Sequence, residues 1–290
     1  MRPFLLTLLL AAIPAAATTA THPHMTAHVS TGHVTVNGIE LYYEQYGPAV
    51  GTPLVLLPGG GSTIQATFGR FLPLISRHRR VIAFEEQGHG RSGTHPGPER
   101  FEQTADDVAA ALEQLDISKA DVMGFSNGAS NALLVAIRHP ERVRKLVFAS
   151  SFTKRAGAQS WFWPMMAKAD FDGMPAALKA EFLRVNPDTA ALRRMHDRDL
   201  ERMHAFTDVP DELVRSVKAS TLIVCGDQDI VTTAHALELS RLIVGARVLV
   251  LPGTHGDFLG EITAPARPRA IEATAGLVEE FLADSTDQRK

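Results

Sequence analysis

The residues best suited to covalent chemistry lie in the segment Asp121–Ala129, where a serine stands between two glycines. The pattern Gly-x-Ser-x-Gly, from Gly124 to Gly128, follows an apolar run and leads directly into a helical pattern. This order predicts a nucleophile elbow, a sharp turn that holds the hydroxyl of Ser126 at the end of a sheet. The two glycines would supply neighbours without side chains, as so tight a turn requires. The alternative is a glycine-rich turn in which Ser126 only caps the helix.

A serine that attacks a carbonyl also needs a base for its proton and a carboxylate that orients the base. The chain has twelve histidines, and only His255 both follows a core strand and comes after a suitably placed carboxylate. We interpret His255 as the base rather than as a structural histidine. Three carboxylates lie near His255 or near the strand end before it, and Asp227, Asp229 and Asp257 therefore all remain candidates for the acid.

Short apolar runs alternate with helical patterns through most of the chain. The predicted buried strands are 53–57, 80–84, 119–124, 145–149, 222–225 and 247–251, and the predicted helices are 101–115, 129–139, 233–242 and 271–282. This alternation predicts an α/β fold: a mainly parallel central sheet with helices on both faces and ligands at the carboxyl ends of the strands. Asn37-Gly38 predicts a hairpin that forms an antiparallel edge.

The alternation fails between 151 and 216, where short helical patterns are broken by prolines. We therefore predict a core in two parts, 28–150 and 217–290, with a helical cap at 151–216. The cap begins with an aromatic and methionine cluster that either forms an apolar substrate wall or only packs the cap on the core. The cluster consists of Trp161, Trp163, Met165 and Met166.

Composition limits the partners of the chain. Charged residues make up 21% and hydrophobic residues 45%, with a formal net charge of −3. This balance lacks the basic excess that nucleic-acid or anionic-membrane binding requires.

The segment from Pro58 to Ser62 follows a core strand. Its three consecutive glycines free the backbone to direct amides at a ligand, as half of an oxyanion hole would. The sequence gives no reason to expect a metal or a cofactor.

The first twenty residues have the features of a secretory signal peptide. Arg2 supplies the positive start, Phe4 to Ile13 the apolar run, and Ala15 to Ala17 a small-residue cleavage site. The apolar run is shorter than the roughly twenty residues that span a bilayer, which disfavours an uncleaved anchor. We predict a periplasmic or secreted protein without membrane association after cleavage. Cys225 is the only cysteine and is expected to be a buried strand residue without a disulfide.

With these motifs in hand, the chain resembles the α/β-hydrolase superfamily, in particular its capped esterases, lactonases and C–C bond hydrolases, over residues 33 to 284. Pro58-Gly59-Gly60 matches the family's oxyanion loop, with Pro58 in place of histidine, and 226–229 matches its Gly-x-x-Asp turn. The resemblance implies Asp229 as the acid and the amides of Gly60 and Asn127 as the oxyanion hole. Asp227 then becomes a turn residue that bonds backbone amides. We expect Asp257 to cap the segment that follows it.

A second stretch departs from the family pattern. Residues 85–92 resemble its Asp-x-Arg-Gly-x-Gly-x-Ser segment, but with Glu85 and Gln87 in place of aspartate and arginine.

The sequence as a whole predicts a cofactor-free serine hydrolase that acts on a small-molecule ester or lactone through Ser126, Asp229 and His255. A C–C bond hydrolase of ring-cleavage products and a non-catalytic ligand receptor on the same fold remain as alternatives. The oligomeric state is left open.

Overall fold

A computed structural model describes residues 28–284 of the protein, and the predicted signal peptide at 1–20 lies outside them. Eight strands form one sheet in the order β1-β2-β4-β3-β5-β6-β7-β8. The strands are β1 His28–Val36, β2 Ile39–Tyr46, β3 Leu54–Leu57, β4 Val81–Phe84, β5 Ala120–Phe125, β6 Val143–Ala149, β7 Ser220–Gly226 and β8 Arg247–Leu251. The predicted α/β fold is therefore confirmed.

The sheet is antiparallel only at the edge where the hairpin was predicted. Strand β2 pairs antiparallel with both β1 and β4, and every pair from β4 to β8 is parallel. Asn37 and Gly38 have φ values of 47° and 92°, as a tight hairpin turn requires. The parallel arrangement brings the carboxyl ends of β3, β5, β6, β7 and β8 to one edge of the sheet.

Helices cover both faces of this sheet. They are α1 Ile64–Phe68, α2 Leu72–Ile75, α3 Phe101–Gln114, α4 Asn127–Arg138, α5 Phe162–Met166, α6 Ala176–Val185, α7 Thr189–His204, α8 Asp211–Arg215, α9 Thr233–Leu242 and α10 Pro268–Ala283. One apolar core joins the sheet to α3, α4 and α9. A second core joins its other face to α1, α2 and α10. Burial on both faces explains why β3, β4 and β5 read as continuous apolar runs.

The segment between β6 and β7 holds four helices, α5 to α8, and a short 3₁₀ helix at Arg155–Gly157. Its α6 and α7 enclose a small apolar core of their own, in which Phe182 and Met195 are buried. The segment forms the wall opposite the carboxyl edge of the sheet, and we call it the cap. Within residues 28–284, none of the helices combines the length and apolar character that a membrane span requires.

Cys225 lies in β7, between the sheet and its helices, and is 1% exposed. Burial, together with the nearby charges of Asp229 and Asp227, raises the pKa of this thiol to about 12. The side chain is therefore packed as an apolar residue in the core.

Candidate active site

The turn between β5 and α4 has the geometry of a nucleophile elbow. Ser126 has φ 55° and ψ −124°, a conformation that a residue with a side chain rarely adopts. Its amide donates to the carbonyl of Ala149 at 2.9 Å, which fixes the turn against the end of β6. The hydroxyl makes no capping bond to α4 and lines a cavity instead. The simple capping interpretation of Ser126 is thereby excluded.

The two glycines of the elbow are needed for close backbone approach. A β-carbon on Gly124 would lie 2.0 Å from the carbonyl oxygen of Gly128. One on Gly128 would lie 2.1 Å from the carbonyl oxygen of Leu57, at the end of β3. No side-chain rotation relieves such contacts because both partners are backbone. The spacing of the motif therefore reflects how tightly α4 begins against the sheet.

Asp229 and His255 come together from loops that follow β7 and β8. The Oδ1 atom of Asp229 lies 2.7 Å from Nδ1 of His255, and the carboxylate is 1% exposed. It also accepts the amides of Gly226 at 3.0 Å and Ile230 at 2.7 Å, and the hydroxyl of Ser150. Burial raises the pKa of Asp229, but the charge of His255 and these hydrogen bonds outweigh it and hold the pKa below its usual range.

Ser150 was not anticipated from the sequence, although it follows a core strand directly. It directly follows β6 and has a φ of 54°, and its hydroxyl donates a hydrogen bond to Oδ2 of Asp229. The available signal was its position, since polar residues at strand ends in this fold converge on one edge of the sheet.

The neighbouring carboxylates have other partners. Oδ1 of Asp227 accepts the amide of Gly253 at 2.8 Å, which ties the β7 loop to the loop that carries His255. Asp257 accepts the amide of Thr254 at 3.0 Å and its hydroxyl at 2.9 Å. Asp257 therefore accepts its amide from the loop that precedes it, whereas the sequence had suggested a cap for the following segment, which it contacts through Arg267 at 3.4 Å. Of the three candidates, Asp229 is the one that contacts His255.

The oxyanion loop after β3 lies against the start of α4. Gly60 and Asn127 both line the cavity beside Ser126. A β-carbon on Gly60 would lie 2.4 Å from Nδ2 of Asn127. The neighbouring amide, that of Gly61, donates to Nε2 of His89 at 3.2 Å, so the loop is held from the core side as well. These contacts hold the two backbone segments of the predicted oxyanion hole side by side at the cavity.

The cavity between the sheet edge and the cap has a volume of about 670 Å³. Ser126 and His255 lie on the same wall, although no hydrogen bond joins them within residues 28–284. Such contacts often tighten only when substrate binds. The remaining wall is mostly apolar and includes Phe152, Phe162, Met165, Met166, Met203 and Phe206.

The two tryptophans do not lie on that wall. Trp163 packs on Phe152 and Phe206, and the guanidinium of Arg155 lies 3.6 Å from the centre of its ring. Trp161 is 50% exposed on the outside of the cap. Of the predicted substrate-binding cluster, Met165 and Met166 line the cavity. Trp163 packs the cap on the core, as the alternative interpretation had it, and Trp161 lies at the surface.

A buried group of five charged residues joins the cap to the core beside the oxyanion loop. Arg202 of α7 bonds Glu86 and Asp199 and lies 3.2 Å from Glu99. His89 lies 3.7 Å from Asp199. We call Glu86, His89, Glu99, Asp199 and Arg202 the charge cluster. Sequence analysis did not detect it, because its members come from three separate segments and match no local pattern.

The carboxylates of Asp199, Glu86 and Glu99 favour the charged form of His89, whereas burial and the amide of Gly61, which donates to Nε2, favour the neutral form. Burial raises the pKa of Glu99 to about 7 despite the nearby guanidinium of Arg202. The ligating atoms of Glu86, His89 and Glu99 lie within 4.8 Å of one another, a spacing that a metal ion could bridge. The guanidinium of Arg202 already provides a cation at this place.

Known proteins with similar sequences share this architecture. The family model for the alpha/beta hydrolase fold matches residues 52–215. The 3-oxoadipate enol-lactonase 2 of Acinetobacter baylyi is 26% identical over 239 residues, which cover 77% of this chain and 88% of that protein. The 2-hydroxy-6-oxo-2,4-heptadienoate hydrolase of Pseudomonas putida is 30% identical over 235 residues, which cover 72% and 83%.

Among solved structures, the enol-lactonase from Burkholderia xenovorans has a TM-score of 0.67 and 24% identity. The match covers 87% of this chain and 100% of that one. The segment matched by the family model contains the elbow and the cap helices α5 to α8 but ends before Asp229 and His255.

Proposed function

The chain belongs to the α/β-hydrolase family, and from this premise we propose that it is a serine hydrolase that cleaves a carboxylic ester or lactone. The observation that carries the proposal is the 2.7 Å contact between Asp229 and His255 at the edge of the cavity that Ser126 also lines. A serine on a strained turn, a base and a buried carboxylate at three strand ends suit acyl transfer.

In the proposed acylation step, the hydroxyl oxygen of Ser126 attacks the carbonyl carbon while Nε2 of His255 takes its proton. Asp229 accepts from Nδ1 and stabilises the imidazolium that forms. The carbonyl oxygen becomes an oxyanion, which the amides of Gly60 and Asn127 would bind. His255 then returns the proton to the departing alkoxide, which leaves as an alcohol, and an acyl-serine remains.

Deacylation repeats these roles with water. His255 takes a proton from water, the hydroxide attacks the acyl carbonyl, and the same amides bind the second oxyanion. The ester bond to Ser126 breaks, the serine oxygen regains its proton from His255, and the carboxylic acid is released. In a lactone the alcohol stays attached to the acyl chain, so one hydroxy acid is the product.

Labelling with a fluorophosphonate probe and a screen of p-nitrophenyl esters of graded chain length beside small lactones test the proposal. We expect stoichiometric labelling of the wild type at Ser126 and no labelling of Ser126→Ala. An intact protein that is not labelled and cleaves no ester or lactone would contradict the enzyme and favour a ligand receptor on the same fold.

The relative from Pseudomonas putida gives a specific reason for a second candidate. That protein is named a 2-hydroxy-6-oxo-2,4-heptadienoate hydrolase and is 30% identical to this chain. C–C bond cleavage would use the same three residues, with a ketone in place of the ester. Conjugated ring-cleavage products absorb in the near ultraviolet, so loss of their absorbance, measured beside the ester screen, separates the two reactions.

We also propose export to the periplasm or the medium, on the basis of the charged start, apolar run and alanine cleavage site within residues 1–20. N-terminal sequencing of protein secreted by a bacterial host tests this. A mature chain that begins within a few residues of Ala17 is expected, and an uncleaved chain in the cytoplasm would contradict it.

A further inference from the structure

One member of the charge cluster reaches the candidate active site. Asp199, on α7 of the cap, lines the cavity together with Gly60 and Asn127 and is 8% exposed. Its Oδ1 atom accepts a hydrogen bond from Nδ2 of Asn127 at 3.1 Å and another from Arg202. Its Oδ2 atom lies against Gly60, where a β-carbon would come within 2.4 Å of it. A carboxylate from the cap therefore lies beside the proposed oxyanion hole.

The two oxygens of this carboxylate differ in their partners. Oδ1 has two donors, whereas Oδ2 accepts no hydrogen bond from residues 28–284, and Nε2 of His89 lies 3.7 Å away. Burial raises the pKa of Asp199, but the guanidinium of Arg202 outweighs it and keeps the group ionised near neutral pH. Oδ2 is open to the cavity, so a ligand that fills the cavity without a donor at this place would desolvate the oxygen at a cost, whereas a ligand that brings a donor avoids that cost.

Within residues 28–284, the cavity wall beside Asp199 offers no lysine or arginine to a ligand. Arg202 is 3% exposed, is not part of the cavity wall and is shared among the three carboxylates of the charge cluster. Lys168 lines the cavity but is exposed on the cap surface, and His196 lies 2.9 Å from Asp197. A substrate carboxylate placed near Ser126 would therefore face the carboxylate of Asp199 with no cation of its own to pair with, and such repulsion is strong where water is excluded.

We propose that Asp199 selects esters or lactones that carry a hydroxyl group on the carbon next to the scissile carbonyl, and that it rejects substrates with a carboxylate there. The hydroxyl of the substrate would donate a hydrogen bond to Oδ2 of Asp199. An acyl group without a donor would leave this oxygen without a hydrogen bond. This inference rests on the proposed hydrolase activity and specifies the substrate class of the same site. Asp199 would act through recognition and takes no part in proton transfer.

The test uses methyl butanoate analogues that differ only in the group on that carbon: hydrogen, hydroxyl, methoxy, carboxamide or carboxylate. Hydroxyl and methoxy have similar inductive effects, so their ratio isolates the hydrogen-bond donor. For the wild type at neutral pH, we expect kcat/KM for the hydroxy ester to exceed that for the methoxy ester by at least about tenfold. We expect the carboxylate to fall at least about a hundredfold below its carboxamide.

Asp199→Asn sharpens the test because it keeps the shape and reverses the polarity of one atom. Its carbonyl oxygen can still accept from Asn127 and Arg202, which places the amide nitrogen where Oδ2 was. The hydroxy-to-methoxy ratio should then fall to one or below, and the penalty for the carboxylate should shrink by at least about tenfold. Glu201→Gln is the matched control, since Glu201 lies on the same helix but is exposed and is not part of the cavity wall. It should keep both ratios.

Active-site titration with the fluorophosphonate corrects every rate for folded protein, and the wild-type ratios decide the matter even if Asp199→Asn does not fold. A wild type that cleaves the unsubstituted ester but shows hydroxy-to-methoxy and carboxylate-to-carboxamide ratios near one overturns this inference and leaves the proposed hydrolase intact. Unchanged ratios in a folded Asp199→Asn also overturn it, because a purely structural role for Asp199 would alter stability without altering selectivity. A wild type that cleaves no ester and is not labelled overturns both proposals.

Discussion

The two walls of the cavity are built in different ways. On the core wall, Asp229 and His255 meet through loops that follow adjacent strands, and most partners of Asp229 are backbone amides and one serine hydroxyl. On the cap wall, Asp199 reaches the cavity from the charge cluster, in which two cap residues meet two carboxylates and a histidine of the core. The first arrangement depends on the fold of the sheet, and the second depends on how the cap closes over it.

Under the proposed function, the core wall carries out the chemistry and the cap wall selects the substrate. A neutral hydrogen-bonded setting around Asp229 keeps one charge available to orient His255. A buried group of several charges contributes little net stability but makes the loss of any one partner costly. Mutations on the two walls should therefore be distinguishable by what they change: turnover on the core side, stability and selectivity on the cap side.

The largest expected effect separates Asp229 from its neighbours on the core wall. Asp229→Asn removes the charge that orients His255 and should lower kcat by up to about ten-thousandfold, with folding retained. Asp227→Asn and Asp257→Asn should remain within about tenfold of wild type, because these residues bond loop backbone. Steady-state kinetics on the best ester, corrected by active-site titration, measures all three. If Asp227→Asn is the crippling change, the assignment of the acid is wrong.

The next effect concerns stability on the cap wall. Arg202→Leu leaves Glu86, Glu99 and Asp199 buried without their shared cation and should lower the free energy of unfolding by about 3–5 kcal/mol. Urea denaturation followed by circular dichroism measures the change. Arg194→Leu is the matched control on the same helix, since Arg194 is 64% exposed and pairs with Asp188 at the surface. Its loss should be below about 1 kcal/mol, and equal losses would remove the contrast between buried and exposed charges.

The smallest effect sharpens the description of the cavity wall. Met166→Ala widens an apolar wall that small esters do not reach, so it should shift chain-length preference several-fold and leave turnover of the smallest ester nearly unchanged. Trp163→Ala removes a ring packed between Phe152 and Phe206 and should mainly lower stability. A larger change in chain-length preference for Trp163→Ala than for Met166→Ala would reverse this reading.

Sequence patterns predicted the core wall well because its determinants are local. The apolar runs predicted β3 to β8, and the glycines around Ser126 predicted the elbow that the backbone adopts. The order of motifs predicted that His255 lies after a carboxylate, and the spacing of the family turn singled out Asp229. Asp257 was misread because its position in the chain does not show whether a side chain folds forward or backward.

The cap wall was largely hidden from such patterns. Arg202 and Glu86 are 116 residues apart, and their contact depends on where α7 settles over the sheet. The tryptophans were interpreted by type, whereas the rotation of α5 decides which side chains reach the cavity. Tertiary placement of this kind leaves no periodic signal in the sequence.

The burial of Cys225 has a practical consequence for spectroscopy. Its thiol is 1% exposed and has a pKa raised to about 12, and thiols react with maleimides and iodoacetamides as thiolates. The native chain should therefore give little background in conjugation reactions at pH 7 to 8, without first replacing its only cysteine. Ala167→Cys, at the exposed end of α5 beside the cavity-lining methionines, would then carry a single fluorophore. Its emission would report ligand binding at the cap side of the cavity in real time.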